Sequence, residues 1–178
     1  MKIAVFCSAN SAIDPDFFTY TEELGRWIGE AGHTLVFGGT NQGLMECVGR
    51  AAHEAGARTI GVVPQIIEKG GMVSRSVEVN ISCDNLSERK ALLLAQSDVF
   101  VALPGGIGTL DEVFTMTAGN TIGEHQKKVI LYNMKGFWTK TCEMLDDLQA
   151  RGFIRGRWTD YILVANDLDE LRRHIDAL

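Results

Sequence analysis

Leu103-Pro104-Gly105-Gly106-Ile107-Gly108-Thr109-Leu110-Asp111-Glu112 stands between two segments of different character. Upstream, Asp98-Val99-Phe100-Val101-Ala102-Leu103 is an apolar run of the buried-strand type. Downstream, Leu110, Val113, Phe114 and Met116 recur at helical spacing toward Ile122. The glycines therefore fall where a strand ends and a helix begins. There the first N–H groups of the helix have no intrahelical partner, and the helix dipole presents its positive end. Backbone without Cβ atoms can close on an anion at such a point. Thr109 adds a hydroxyl donor, and Glu112, about one turn into the expected helix, brings a carboxylate close to whatever the loop holds. The stretch reads as a phosphate cradle with an acid beside it.

Working outward, the same alternation repeats along the chain. Strands are expected at 2–7, 34–37, 58–63, 98–103, 128–132 and 161–165. Helices are expected at 15–31, 44–55, 86–96, 110–122, 137–150 and 168–175. Asp14 and Pro15 suit a cap and a first turn, Gly32 and Gly56 suit helix stops, and Asn85 with Glu88 has capping-box spacing. Residues 66–73, with the Gly70-Gly71 pair, read as an irregular loop, and 76–82 reads as a short strand or an extended connection. Strand–helix alternation implies parallel strands joined by crossover helices, and strands this apolar require cover on both faces. The expected fold is α/β: a doubly wound, Rossmann-like parallel sheet with helices on both faces, in a single domain spanning 1–178.

A chain of 178 residues is long enough for one sizeable core. Its net charge of −6 argues against a nucleic-acid or anionic-membrane partner, since basic residues supply most non-specific affinity for both. A small anionic ligand held by a local loop and one arginine remains compatible. The opening Met1-Lys2-Ile3-Ala4-Val5-Phe6-Cys7 is too short and too soon broken for a signal peptide. No apolar run approaches the ~20 residues of a membrane helix. Cys7, Cys47, Cys83 and Cys142 are scattered and read as reduced thiols of a cytoplasmic protein. The four histidines are equally dispersed, so neither a metal site nor a cofactor is expected.

The glycine loops exclude two common nucleotide sites. A P-loop requires GxxxxGK followed by Ser or Thr; Gly38 to Gly43 has the glycine spacing, but Leu44-Met45 stands in place of the lysine pair. The dinucleotide fingerprint requires GxGxxG after the first strand, where this chain has Cys7-Ser8-Ala9-Asn10; at Gly106 and Gly108, Asp111 replaces the third glycine. The plainest alternative is that the glycines only tighten strand–helix turns. Two such loops, one followed by Thr109 and Glu112, favour a nucleoside monophosphate or sugar phosphate at the carboxyl end of the sheet instead.

Pro104-Gly105-Gly106-Ile107-Gly108-Thr109-Leu110-Asp111-Glu112 resembles the PGGxGTxxE motif of the LOG family, nucleoside 5′-monophosphate phosphoribohydrolases that activate cytokinins. Leu86-Ser87-Glu88-Arg89-Lys90-Ala91 is similar to that family's MxxRK segment, Gly38 to Met45 to its GGGxxGLM loop, and Val5-Phe6-Cys7-Ser8 to its VFCGS opening. The likeness runs in the same order from Ile3 to about Leu171. It implies hydrolysis of the N-glycosidic bond of AMP or an N6-modified, cytokinin-type AMP, with Arg89 and Glu112 as the catalytic pair. It also implies a homodimer, with the interface near the helices that follow the RK and PGG segments. Gly105, Gly106, Gly108 and Thr109 are the expected phosphate ligands, with Gly39, Asn41, Gly43 and Ser8 bordering the same nucleotide site.

The chemistry agrees with the residue types. Breaking an N-glycosidic bond builds positive charge on the ribose, which a carboxylate near C1′ stabilises, or it activates a water there. Arg89 can keep that carboxylate ionised or hold ribose and phosphate oxygens. The chain departs from the family at Thr40, Glu46, Ser8-Ala9-Asn10, Leu86-Ser87 and Ala118-Gly119-Asn120-Thr121, the last standing where the family reads TWAQ. These changes touch the base side and leave the catalytic pair and phosphate loop in place. The alternative reading is a non-catalytic carrier of a nucleotide or pterin cofactor, which would keep the glycine loops without needing the Arg89–Glu112 pair.

Overall fold

The computed structural model describes residues 1–178. In chain order the elements are β1 (Lys2–Phe6), α1 (Asp16–Glu30), β2 (Thr34–Phe37), α2 (Gly43–Glu54), β3 (Arg58–Pro64), α3 (Gln65–Lys69), β4 (Val79–Cys83) and α4 (Leu86–Gln96), followed by β5 (Val99–Ala102), α5 (Ile107–Thr121), β6 (Val129–Tyr132), α6 (Thr139–Ala150), β7 (Ile162–Ala165) and α7 (Leu168–Asp176). The seven strands form one sheet in the order β4-β3-β2-β1-β5-β6-β7. Every neighbouring pair is parallel.

Side-chain alternation along the strands divides the core into two layers. Ile3, Val5, Leu35, Phe37, Val99 and Val101 face α1, α2 and α7 through Leu24, Ile28, Leu44, Val48, Leu171 and Ile175. Ala4, Phe6, Val36, Ile60, Val62 and Phe100 face α4, α5 and α6 through Leu93, Val113, Met116 and Leu145. The doubly wound α/β fold expected from the strand–helix alternation is the fold observed.

The order of strands has a consequence for function. From β1 the chain winds outward through β2, β3 and β4, then returns to β5 on the other side of β1 and winds outward again. The loops leaving β1 and β5 therefore diverge to opposite faces. A crevice opens between them at the carboxyl end of the sheet, the position where open α/β sheets bind ligands.

Several local expectations are corrected. Residues 65–69 form a short helix, α3, within the segment expected to be an irregular loop. Extended Pro64 precedes it and Gly70 ends it, and five residues are too few to display a helical period. Residues 79–83 form a strand, in agreement with the strand reading of 76–82. Pro15 occupies the cap position of α1, while Asp14 Oδ1 accepts the Asp16 N–H at 3.0 Å. Asn85 does cap α4, but Glu88 reaches back to the N–H of Asp84 rather than that of Asn85. The largest shift concerns α5. It begins at Ile107, three residues before the expected start, so Glu112 is its sixth residue and not a first-turn acid. No helix is long and apolar enough to cross a membrane.

Helices α1 and α2 approach closely enough that backbone meets side chain. A Cβ on Gly29 would lie 2.5 Å from Ala55 Cβ and 2.6 Å from the Ala55 carbonyl oxygen. Alanine is the better helix former by about 1 kcal/mol, yet here it must push one backbone away from the other. Gly29→Ala is expected to destabilise the protein by about 1–3 kcal/mol, the usual cost of overpacking. Urea unfolding measures this, and a stabilised variant would contradict the close crossing.

Candidate active site

Three chain segments meet in the β1/β5 crevice. The segment after β1 is held on both sides: Ser8 N–H donates to Pro104 O at 3.1 Å, and Leu44 N–H donates to Ser8 O at 2.9 Å. Ser8 Oγ turns inward to accept the Asn10 N–H at 3.0 Å. Gly43 opens α2 at φ +55°, and a Cβ there would lie 2.5 Å from the Ala9 carbonyl carbon. Only glycine allows this conformation and this approach together.

The glycines of the β5–α5 turn divide into two kinds. A Cβ on Gly105 would overlap the Thr109 hydroxyl, so Gly105 makes room for Thr109 to fold back and become buried. Gly106 and Gly108 have no protein atom within 4 Å of where a Cβ would be. Nothing in the packing of the chain excludes a side chain at either position. Both border a cavity of about 250 Å³ at the start of α5. The rest of its wall comes from Cys7, Ser8 and Ala9 after β1, Met45 of α2, Arg89 of α4, and Thr109 and Glu112 of α5. The unpaired first N–H groups of α5 belong to this same turn.

Glu112 is 5% exposed and is the only acidic or basic residue in the buried set. Arg89 Nη1 meets its Oε1 at 3.2 Å, with the two side chains 14% and 7% exposed. Arg89 Nε also donates to Val62 O, on β3, at 3.1 Å. Burial pushes the Glu112 carboxyl up to about 7, against the pull of Arg89 and Lys90 and with Asp111 adding to the rise. Loss of hydration thus outweighs the arginine, and the carboxyl stays poised near neutrality. Burial raises the Cys7 thiol well above its ordinary value, and Glu112 adds to this, which favours the neutral thiol.

Of the residues expected from sequence, Ser8, Arg89, Gly106, Gly108, Thr109 and Glu112 line this cavity. Gly105 and Gly43 stand immediately behind it, supporting Thr109 and Ala9. Gly39 and Asn41 lie outside its wall. Gly39, at φ +71°, accepts the Ser74 N–H on its carbonyl at 2.8 Å, and the exposed Asn41 donates its N–H to Met72 O at 2.9 Å. Both tie the 72–74 segment to the end of β2. Lys90 and Asp111, neighbours in sequence of the central pair, bond each other at 2.8 Å outside the cavity. The contact with Val62 had no signal in the sequence, because its acceptor is a backbone carbonyl.

A second, larger cavity of about 790 Å³ lies between α4 and α5, bordered by Lys90, Ala91, Thr115 and His125 among others. It shares no lining residue with the first.

Residues 45–175 match the family described as "Possible lysine decarboxylase". The chain is 34% identical over 176 residues to "Probable cytokinin riboside 5′-monophosphate phosphoribohydrolase LOGL1" of Oryza sativa subsp. japonica, covering 98% of this chain and 78% of that one. It is 31% identical over 175 residues to the cytokinin riboside 5′-monophosphate phosphoribohydrolase LOG7 of Arabidopsis thaliana, covering 98% and 81%. Among solved structures, the Moco carrier protein of Chlamydomonas reinhardtii superposes with a TM-score of 0.74 at 26% identity, covering 99% of this chain and 95% of that one. Similarity at this level runs from end to end of the sequence, and the chain belongs to the LOG family, the group also labelled possible lysine decarboxylases.

Proposed function

We propose that this protein hydrolyses the N-glycosidic bond of a nucleoside 5′-monophosphate, AMP or an N6-modified AMP, to the free base and ribose 5-phosphate. The observation that carries the reading is the buried Arg89–Glu112 pair in the wall of a cavity that also opens onto Gly106, Gly108 and Thr109. The 5′-phosphate sits at the start of α5, against the free N–H groups and the Thr109 hydroxyl, in the space left by the two glycines. The ribose then extends toward Glu112. As the bond from C1′ to the base nitrogen breaks, the electron pair leaves with the base and the ribose becomes positively charged. The Glu112 carboxylate stabilises that charge and orients a water, whose oxygen bonds C1′ while its proton is passed on and the base is released protonated. Arg89 holds Glu112 in place and favours its ionised form.

Membership in a group labelled lysine decarboxylase supports no such activity here. No lysine lines the cavity to anchor pyridoxal phosphate. On the base side, Gly119 is buried, and a Cβ there would lie 3.0 Å from Glu124 Oε2 and 3.1 Å from His125 Nε2. A larger residue there would have to displace the ends of these two side chains. A cytoplasmic homodimer completes the proposal. Ser87, Ala91 and Ala95 form an exposed strip of small residues on α4, suited to close approach by a second copy. The likeness to a Moco carrier favours one other reading, a carrier that returns its ligand intact.

Four outcomes are expected. Chromatography of AMP, other monophosphates and isopentenyladenosine monophosphate after incubation should show free base and ribose 5-phosphate with wild type. Glu112→Gln should lower kcat by at least ~100-fold, and intact recovery of every nucleotide would favour the carrier. The kcat/KM profile should rise about tenfold per pH unit up to about 7, where Glu112 ionises, and then level off. Stability should run the opposite way. Between the ordinary value of 4.5 and about 7 the unfolded chain releases the Glu112 proton while the folded chain keeps it, so stability falls as pH rises across that window. Relative to Glu112→Gln, wild type should lose on the order of 3 kcal/mol there, and chemical denaturation at pH 4.5 and pH 8 measures the difference. For the dimer, light scattering should give twice the chain mass for wild type, and Ala91→Glu should shift it toward monomer.

A further inference from the structure

Gly38, at the end of β2, owes its identity to space and not to its backbone. Unlike Gly39 and Gly43 it has no positive φ, so its conformation is open to any residue. A Cβ at Gly38 would instead overlap Arg89 Nη2 and lie 2.8 Å from Met45 Sδ. Both atoms are near the ends of flexible side chains, so the fold can accommodate a methyl group there by moving the arginine.

Arg89 crosses the carboxyl end of the sheet from α4 and is fixed on three sides. Its Nε donates to Val62 O at 3.1 Å, its Nη1 to Glu112 Oε1 at 3.2 Å, and its Nη2 rests against the bare backbone of Gly38. We propose that Gly38 is a positioning residue for Arg89: its missing side chain leaves the seat from which the guanidinium reaches Val62 and Glu112 at once. This rests on the reading of Arg89 and Glu112 as the reacting pair. The charged groups that act on Glu112 are Arg89 and Lys90 from α4 and Asp111 from its own helix, and Glu112 in turn acts on Cys7 just after β1. Of these, only Arg89 touches Gly38. A side chain at 38 thus alters Glu112 through one partner.

The test is a double-mutant cycle of Gly38→Ala and Arg89→Lys in the full chain, read by thermal unfolding, by kcat/KM against pH for the best nucleotide, and by ¹³C NMR titration of the Glu112 carboxyl. Gly38→Ala should still fold and unfold cooperatively, at a somewhat lower temperature than wild type, because the clash moves a side chain and not the backbone, while the displaced arginine loses its hydrogen bonds. Its kcat/KM at pH 7 should fall at least ~10-fold, as expected for a displaced reacting group, and the rising limb of its profile should move to higher pH. On the Arg89→Lys background, which lacks Nη2, the same change should cost less than about twofold, the signature of two residues acting as one unit. Equal losses on both backgrounds, or a Gly38→Ala protein with wild-type rate and profile, would overturn the proposal. If wild type cleaves no nucleotide, the proposed function falls and the NMR titration decides alone. A higher Glu112 midpoint in Gly38→Ala than in wild type supports the positioning role, and an unchanged midpoint refutes it.

Discussion

Removing the Glu112 carboxyl from water is the cost around which the site is built. An ionised carboxylate loses several kcal/mol of hydration on burial, and a single ion pair often fails to recover it. Here the Arg89 guanidinium is the compensating charge, yet the carboxyl remains displaced to about 7. Burial thus disfavours the ionised carboxyl more than Arg89 favours it. A group that ionises near neutrality in the wall of a cavity is suited to switch between protonated and charged forms during a reaction. A purely structural core would more readily hold an apolar side chain at this position.

The topology makes that burial possible. Glu112 lies on α5 and Arg89 on α4, 23 residues apart in the chain. They meet because α4 leads into β5, which lies beside β1, and α5 leads away from it. The segment after β1 is then clamped between Pro104 and Leu44 and covers the pair. The same strand switch that opens the crevice thus brings the charged pair to its wall.

The family contains relatives named as hydrolases, and solved neighbours include proteins named as cofactor carriers. The two activities require different things of one cavity. A carrier needs affinity, which the free N–H groups of α5 and the open space at Gly106 and Gly108 would supply. A hydrolase also needs a charge aimed at the bond to be broken, and that charge is useful only if its ionisation is adjusted to the working pH. The buried pair is the feature of this chain that affinity alone leaves unexplained.

Much of this was legible in the amino-acid sequence, for reasons that are local. Apolar runs of strand length between helical periods dictate a parallel sheet covered on both faces, and the glycines between Leu103 and Glu112 dictate a tight strand–helix turn. What remained illegible was either too short or too distant. Helix α3 has too few residues to show a period, and α5 begins three residues before its apolar spacing does, because Ile107 and Gly108 enter the helix through backbone geometry. Asn41 and Gly39 carry the residue types of a ligand loop but are taken up by hydrogen bonds to the 72–74 segment. The Val62 carbonyl, the opposed fates of Gly105 and Gly108, and the seat at Gly38 arise only when β2, β3, α4 and α5 are brought together. Sequence determined which elements form and which residue types stand at their ends. Tertiary structure decided which of those residues lose their water and which face each other, since desolvation and contact are properties of the folded surroundings and not of any one segment.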